Sequence, residues 1–286
     1  MTTVQGPVVG RRRLRTALRK HREASNLTQD QVARDMDWSL SKLIRIEAGI
    51  VSISTNDVKA LLQLYGITDP VEVARLVEMA RVARRRTWWS PYKDTVPSQY
   101  ASFIGLEAET YSLRYYHPLG IPGLLQTRRY ADVTTGVAAK LGLLADDPDT
   151  IVTIRMTRQR EVLGREQPPE VDVILEEAVL RKVAGSPDVM REQLTHLAST
   201  GESPNVTIRV LPFKAGVAMV MGPFIILQFP DPNDTDVVYL EGALLEDVID
   251  RASDTDRYHK TYEQLKDMCL DPTESLNLIK QIMSEL

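Results

Sequence analysis

The chain has 286 residues, 43% of them hydrophobic and 26% charged, and a single cysteine, Cys269. That mixture excludes a disordered polymer, a disulfide scaffold and a cage of thiolate metal ligands drawn from one chain. The net charge of −4 hides an asymmetry: residues 1–86 carry 16 Lys and Arg against 9 Asp and Glu, a net +7, and residues 87–286 carry 19 against 30, a net −11. Two domains that meet different partners are expected, the basic one suited to a polyanion. Residues 1–10 lack the apolar core of a signal peptide, and the run Phe224–Leu227 is too short to span a bilayer. A cytoplasmic protein without a membrane partner is expected.

Leu14, Ala17 and Leu18 keep helical spacing with arginines on the other face, which predicts a helix from Val9 to Ala24 stopped by Ser25-Asn26. Thr28-Gln29-Asp30-Gln31 fits a capping box for a second, short helix that turns Val32, Ala33 and Met36 inward. After Asp37-Trp38, Ser39 caps a third helix containing Leu43 and Ile46, with Gly49 as its stop; Trp38 and Leu43 suit a hydrophobic staple. Ser54-Thr55-Asn56-Asp57 opens a fourth helix through Tyr65, and Val71–Arg84 reads as a fifth. Five short helices with a tight turn between the second and third describe a helix-turn-helix domain over residues 1–86.

The residues here carry a resemblance. Leu27-Thr28-Gln29-Asp30-Gln31-Val32-Ala33, followed by Ser39 to Gly49 with its Arg45-Ile46-Glu47 core, is similar to the phage-repressor/XRE class of DNA-binding domains over roughly residues 9–66. The resemblance implies a third helix in the major groove, with Ser39, Leu40, Ser41, Lys42 and Arg45 on its exposed face. Arg45 then suits guanine and Leu40 a thymine methyl. It implies that Gln29 holds a phosphate and that Glu47 pairs with Arg22 of the first helix as a structural contact. Arg11, Arg12 and Arg13 are candidates for further phosphate contacts. The implied partner is double-stranded DNA with a pseudo-palindromic operator, bound by a homodimer.

Arg84 to Pro91 marks the boundary, and residues 87–286 form the second, acidic domain. Eight of the chain's 17 aromatic residues fall within the 29 residues from Trp88 to Tyr116. They read either as a core or interdomain cluster, or as an effector or partner site walled by Trp88, Trp89, Tyr115 and Tyr116. Helical periodicity continues over Ala101–Tyr116, then a rigid loop runs from His117 to Thr127, and Arg128–Leu141 is helical again. Asp149 is expected to cap a helix to Leu163, and Ser186-Pro187-Asp188 opens another. Strands are predicted at Val171–Leu175, Val206–Leu211, Phe224–Phe229 and Val237–Leu240, before closing helices over Asp254–Leu270 and from Asp271 onward. Strands among helices without regular βαβ alternation predict an α+β domain with a small mixed or antiparallel sheet.

This half is also similar to a known family. Ile121-Pro122-Gly123-Leu124-Leu125-Gln126-Thr127 with Tyr130-Ala131, Arg158-Gln159, Glu176 to Arg181, Val210-Leu211-Pro212-Phe213 and Tyr239-Leu240-Glu241 resemble the C-terminal domain of unknown function attached to XRE-type regulators of actinomycetes, WhiJ-type developmental regulators among them. The resemblance implies a repressor encoded beside a small partner protein; the acidic domain is expected to dimerise and to receive a signal, from such a protein or from a small-molecule effector.

Four histidines at no metal-ligand spacing, and the lack of a Gly-rich phosphate loop or a G-x-S-x-G elbow, lead to an expectation of no metal, no cofactor and no catalytic residue. Glu176 and Glu177, the best carboxylate candidates, are expected to point apart with one in solvent. Two other readings stay open: an antitoxin-like protein that sequesters a small partner and autoregulates, and a divergent enzyme tethered to a DNA-binding module.

Overall fold

A computed structural model describes residues 6–49, 51–92, 95–143, 147–216, 222–232, 234–242 and 246–286. They fall into two compact units, 1–90 and 91–286, so the division comes four residues after the boundary expected from composition.

The first unit is built of α1 (Pro7–Ala24), α2 (Gln29–Asp35), α3 (Leu40–Glu47), α4 (Thr55–Leu64) and α5 (Pro70–Val82). Three of its start signals are those read from the sequence, while α1 begins at Pro7 and α5 at Pro70, capped by Asp69. Thr28 and Gln31 form the reciprocal capping box of α2, Ser39 accepts from the Lys42 amide at the head of α3, and Ser54 accepts from the Asp57 amide at the head of α4. The stops share one geometry. Asn26, Asp37, Gly49 and Gly66, each just past a helix, have φ between 53° and 74°. This left-handed cap satisfies the last carbonyls; after α2, for instance, the Trp38 amide donates to Ala33 at 2.8 Å. At Gly49 the φ of 74° would strain any other residue, and a Cβ would lie a tight 3.0 Å from Arg15 Cδ. Leu14, Leu18, Val32, Leu43, Ile46, Val58, Leu61 and Leu76 form the core, with Trp38 and Met36 packed on its edge.

The second unit runs α6 (Ser98–Glu107), β1 (Ser112–His117), α7 (Arg128–Lys140), α8 (Pro148–Leu163), β2 (Glu170–Glu176), α9 (Glu177–Arg181), α10 (Pro187–Thr200), β3 (Val206–Leu211), β4 (Phe224–Gln228), β5 (Val237–Leu240), β6 (Asp247–Ile249), α11 (Ala252–Met268) and α12 (Pro272–Ser284). The strands make one mixed sheet in the order β3-β2-β1-β4-β5-β6. β1, β2 and β3 pair in parallel, and β4, β5 and β6 continue antiparallel from β1. The unit is α+β, as expected, but helices do connect its three parallel strands.

Three sequence-based expectations are corrected. The helix expected over Ala101–Tyr116 ends at Glu107, and Ser112–His117 is the strand at the centre of the sheet. Both faces of that strand are covered, so Leu113, Tyr115 and Tyr116 are all buried and the alternation that marks a half-exposed strand is lost. The cap of α8 is Asp147 rather than Asp149: Pro148 occupies the first helical turn and Asp147 accepts from the Thr150 amide at 3.1 Å. Strand β6 carried no sequence signal, since Asp247–Ile249 is only three residues long.

The loop read as rigid, residues 117–127, is held by three glutamines. Gln159 donates to the carbonyls of Gly123 and Gln126, each at 2.7 Å. Fully buried Gln193 donates to Leu125 and accepts from the Thr127 amide, also at 2.7 Å. Gln126 closes back on Ile121. Such a buried loop is permitted only because its backbone groups find these partners.

Candidate nucleic-acid interface

Helix α3 has two sides. Leu43 and Ile46 are buried in the core, while Ser39, Leu40, Ser41, Ile44 and Arg45 are exposed. The helix is eight residues long, is capped by Ser39, and has Ser39, Leu40 and Ser41 exposed at its N-terminal end.

The framework behind α3 is ionic. Buried Arg22 of α1 donates through Nε to Glu47 Oε1 at 2.7 Å and through Nη2 to Oε2 at 3.1 Å, and its Nη1 reaches the Leu27 carbonyl at 2.9 Å. The hydrogen bond to Glu47 raises the pKa of Arg22 against the cost of burial. Arg15 adds a bond from Nη1 to the Ala48 carbonyl at 3.0 Å, satisfying a terminal acceptor of α3. The pair implied by the resemblance is therefore formed, and it pins α3 against α1.

The candidate contact residues are placed differently from one another. Gln29, half-buried at the head of α2, donates from Nε2 to Glu47 Oε2 at 2.8 Å, so the carboxylate that locks α3 also orients this amide. Lys42 does not extend along α3: its ammonium lies 3.7 Å from the centroid of the Trp38 ring and 3.8 Å from Asp57. Ser39 spends its hydroxyl oxygen on the Lys42 amide, whereas Ser41 and Arg45 are exposed. Arg11, at the far end of α1, donates to the Ala83 carbonyl at 3.1 Å, and Arg12 and Arg13 beside it are half-buried. The exposed face of α3 is thus formed by Leu40, Ser41, Ile44 and Arg45, with Ile44 beside the residues expected to contact DNA.

The four aromatic residues expected to wall an effector or partner site are divided between the two units. Trp88 and Trp89 belong to the first unit, where their rings meet edge to face at 5.6 Å. Tyr115 and Tyr116 belong to the second, each 1% exposed and projecting from opposite faces of β1. Tyr115 donates to Glu107 Oε1 at 2.8 Å, whereas Tyr116 packs on Phe224 and donates to Glu176 at 2.8 Å. Adjacent strand residues cannot share a wall, and of the two explanations the core cluster holds for this pair.

Around Tyr115 lies a buried ion pair that the sequence did not announce. Arg158 of α8 donates to both oxygens of Glu107, at 2.6 and 3.0 Å, and to Tyr100 at 2.8 Å. Burial works against the charge on Arg158, but Glu107, Tyr100 and Tyr115 outweigh it and hold the pKa well above the usual value. Glu176 and Glu177 are also engaged, Glu177 buried and Glu176 half-buried. Glu176 accepts from Tyr116, and buried Glu177 accepts from the Phe213 amide at 2.9 Å and from Arg181 at 2.7 Å. The two residues straddle a strand–helix junction rather than lying on one helix. Among the described residues no group of three or more His, Cys, Asp or Glu could hold a metal ion, and no helix is long and apolar enough to cross a membrane.

Comparison with known proteins follows the same division. Residues 13–76 match a family described as a helix-turn-helix domain, which contains α1 to α4 entire from Arg13 onward and half of α5. No curated protein and no solved structure matches the chain. Residues 100–281 match the family described as domain of unknown function DUF5753, and the chain, with most of its length inside that match, belongs to this family and carries a helix-turn-helix domain ahead of it.

Proposed function

We propose that the chain is a sequence-specific transcriptional regulator, acting as a repressor, that reads double-stranded DNA with α3. The observation that carries this is the exposed face of α3, with Ser41 and Arg45 displayed on a helix fixed from behind by the Arg22–Glu47 pair. An arginine held this way suits the two acceptors on the major-groove edge of guanine. Gln29 and the basic residues of α1 would add sequence-independent contacts to phosphates.

In this reading the protein binds as a homodimer to a pseudo-palindromic operator, with the acidic second unit dimerising and receiving a signal from a small protein or a small molecule. The reading includes the likeness to WhiJ-type developmental regulators. It also holds that the chain acts by binding rather than by catalysis, supported by the engagement of Glu176 and Glu177 in structural hydrogen bonds. Selection from a random duplex pool with the full chain tests it. An inverted repeat with half-sites about 10 base pairs apart is expected, and inserting five base pairs should abolish tight binding by turning one half-site to the far side of the duplex. A single unrepeated site indifferent to the insertion would overturn the dimer.

A further inference from the structure

Two of the three exposed large apolar side chains among the described residues of the first unit lie on the eight-residue helix α3: Leu40 at 40% and Ile44 at 43% exposure, the third being Val71. They stand four residues apart, so they are stacked on one stripe of the helix, which exposed Ala48 continues. The neighbouring stripe holds Ser41 and Arg45, both exposed. The core of the unit already takes Leu43 and Ile46 from another face of the same helix. Lys42 is drawn off toward Trp38 and Asp57, and Glu47 is occupied by Arg22 and Gln29, so neither charge is spent on the stripe.

The stripe is one side chain wide and bordered by hydrogen-bonding groups. A protein partner held by apolar burial needs a broad contiguous patch. The major-groove edge of DNA offers the opposite pattern: isolated apolar points, the 5-methyl groups of thymine, set among donors and acceptors. We propose that Leu40 and Ile44 together read thymine methyls, so that apolar contact defines part of the half-site alongside the hydrogen bonds of Ser41 and Arg45. The proposal rests on the DNA-binding reading above and adds Ile44 to the specificity-determining residues. Four helical residues advance about 6 Å, close to two base-pair steps of about 3.4 Å, so the two methyls should lie about two steps apart along the groove.

The test uses the full chain and the half-site obtained by selection from a random duplex pool. Each thymine is replaced in turn by deoxyuridine, which removes the methyl and leaves every hydrogen-bonding group in place. At one or two thymines per half-site the wild-type protein should lose about three- to fivefold in affinity, the size expected for one buried methyl. Leu40→Ala and Ile44→Ala should each abolish that preference at one position while leaving thermal unfolding unchanged. A half-site without thymine, or indifference to deoxyuridine at every position, would overturn the proposal. So would alanine variants that keep the preference, or that bind the operator as tightly as wild type because the stripe serves another partner. A pool that yields no recurring sequence would instead defeat the DNA-binding reading itself, and the proposal with it.

Discussion

In the proposed DNA-binding reading, Arg45 is the side chain on which base discrimination turns. It is exposed on a helix whose orientation is set elsewhere, so its removal subtracts a contact without disturbing the core. Arg45→Ala should lose about 1–3 kcal/mol on the preferred duplex and relax the choice at one base pair, with unfolding unchanged. Equal weakening on all duplexes, measured by titration against scrambled sequences, would assign it to a phosphate. Glu72 gives a second prediction at this scale. Its hydrogen bond from Arg75 at 2.6 Å, with that of His21, holds its carboxyl at about 2, down from the usual 4.5. A depressed carboxyl stabilises the fold above its unfolded pKa and loses that contribution as pH falls through the folded one. Stability of the first unit should therefore drop between about pH 4.5 and 2, and Glu72→Gln should flatten that limb in acid unfolding followed by circular dichroism. An unchanged acid limb would contradict the assignment. Local signals of this kind were largely legible: Thr28, Ser39, Ser54 and Gly49 act within one turn of their own position. The direction of Lys42 was not, because Asp57 lies fifteen residues on and only the packing of α4 brings it close.

Elements were legible where one face is wet. The amphipathic α1 and α3 kept their period, whereas β1, Ser-Leu-Arg-Tyr-Tyr-His and covered on both faces, lacks the alternation of a half-exposed strand. Missing it also hid the parallel half of the sheet. The joint between α6 and α8 was invisible for a different reason, since Glu107 and Arg158 are fifty-one residues apart and ordinary in their local context. That joint carries its own prediction. Arg158→Met leaves a carboxylate buried at 0% exposure without its cation and should cost about 3–5 kcal/mol. Adding Glu107→Leu should restore much of the loss, because two apolar groups require no charge partner. Chemical denaturation of both variants decides it; a single variant as stable as wild type would mean that the pair is not closed in solution.

The division of the whole molecule was legible in charge alone, a net +7 against −11 on either side of residue 86, with the structural boundary only four residues further on. The helices of the helix-turn-helix unit could be read because Thr28, Ser39 and Ser54 set their starts by short-range caps. The larger unit gave its class and most of its elements, but Tyr115 and Tyr116, expected on one wall, take opposite faces of one strand. What the first unit does for the whole is best tested on genomic DNA fragments captured with the intact protein at two salt concentrations. Non-specific binding through phosphates weakens steeply with salt, whereas base contacts preserve discrimination. The account predicts a small set of sites that share an inverted repeat and survive at the higher salt. Diffuse capture that vanishes as salt rises would contradict it, leaving only a basic surface where a reading helix is claimed.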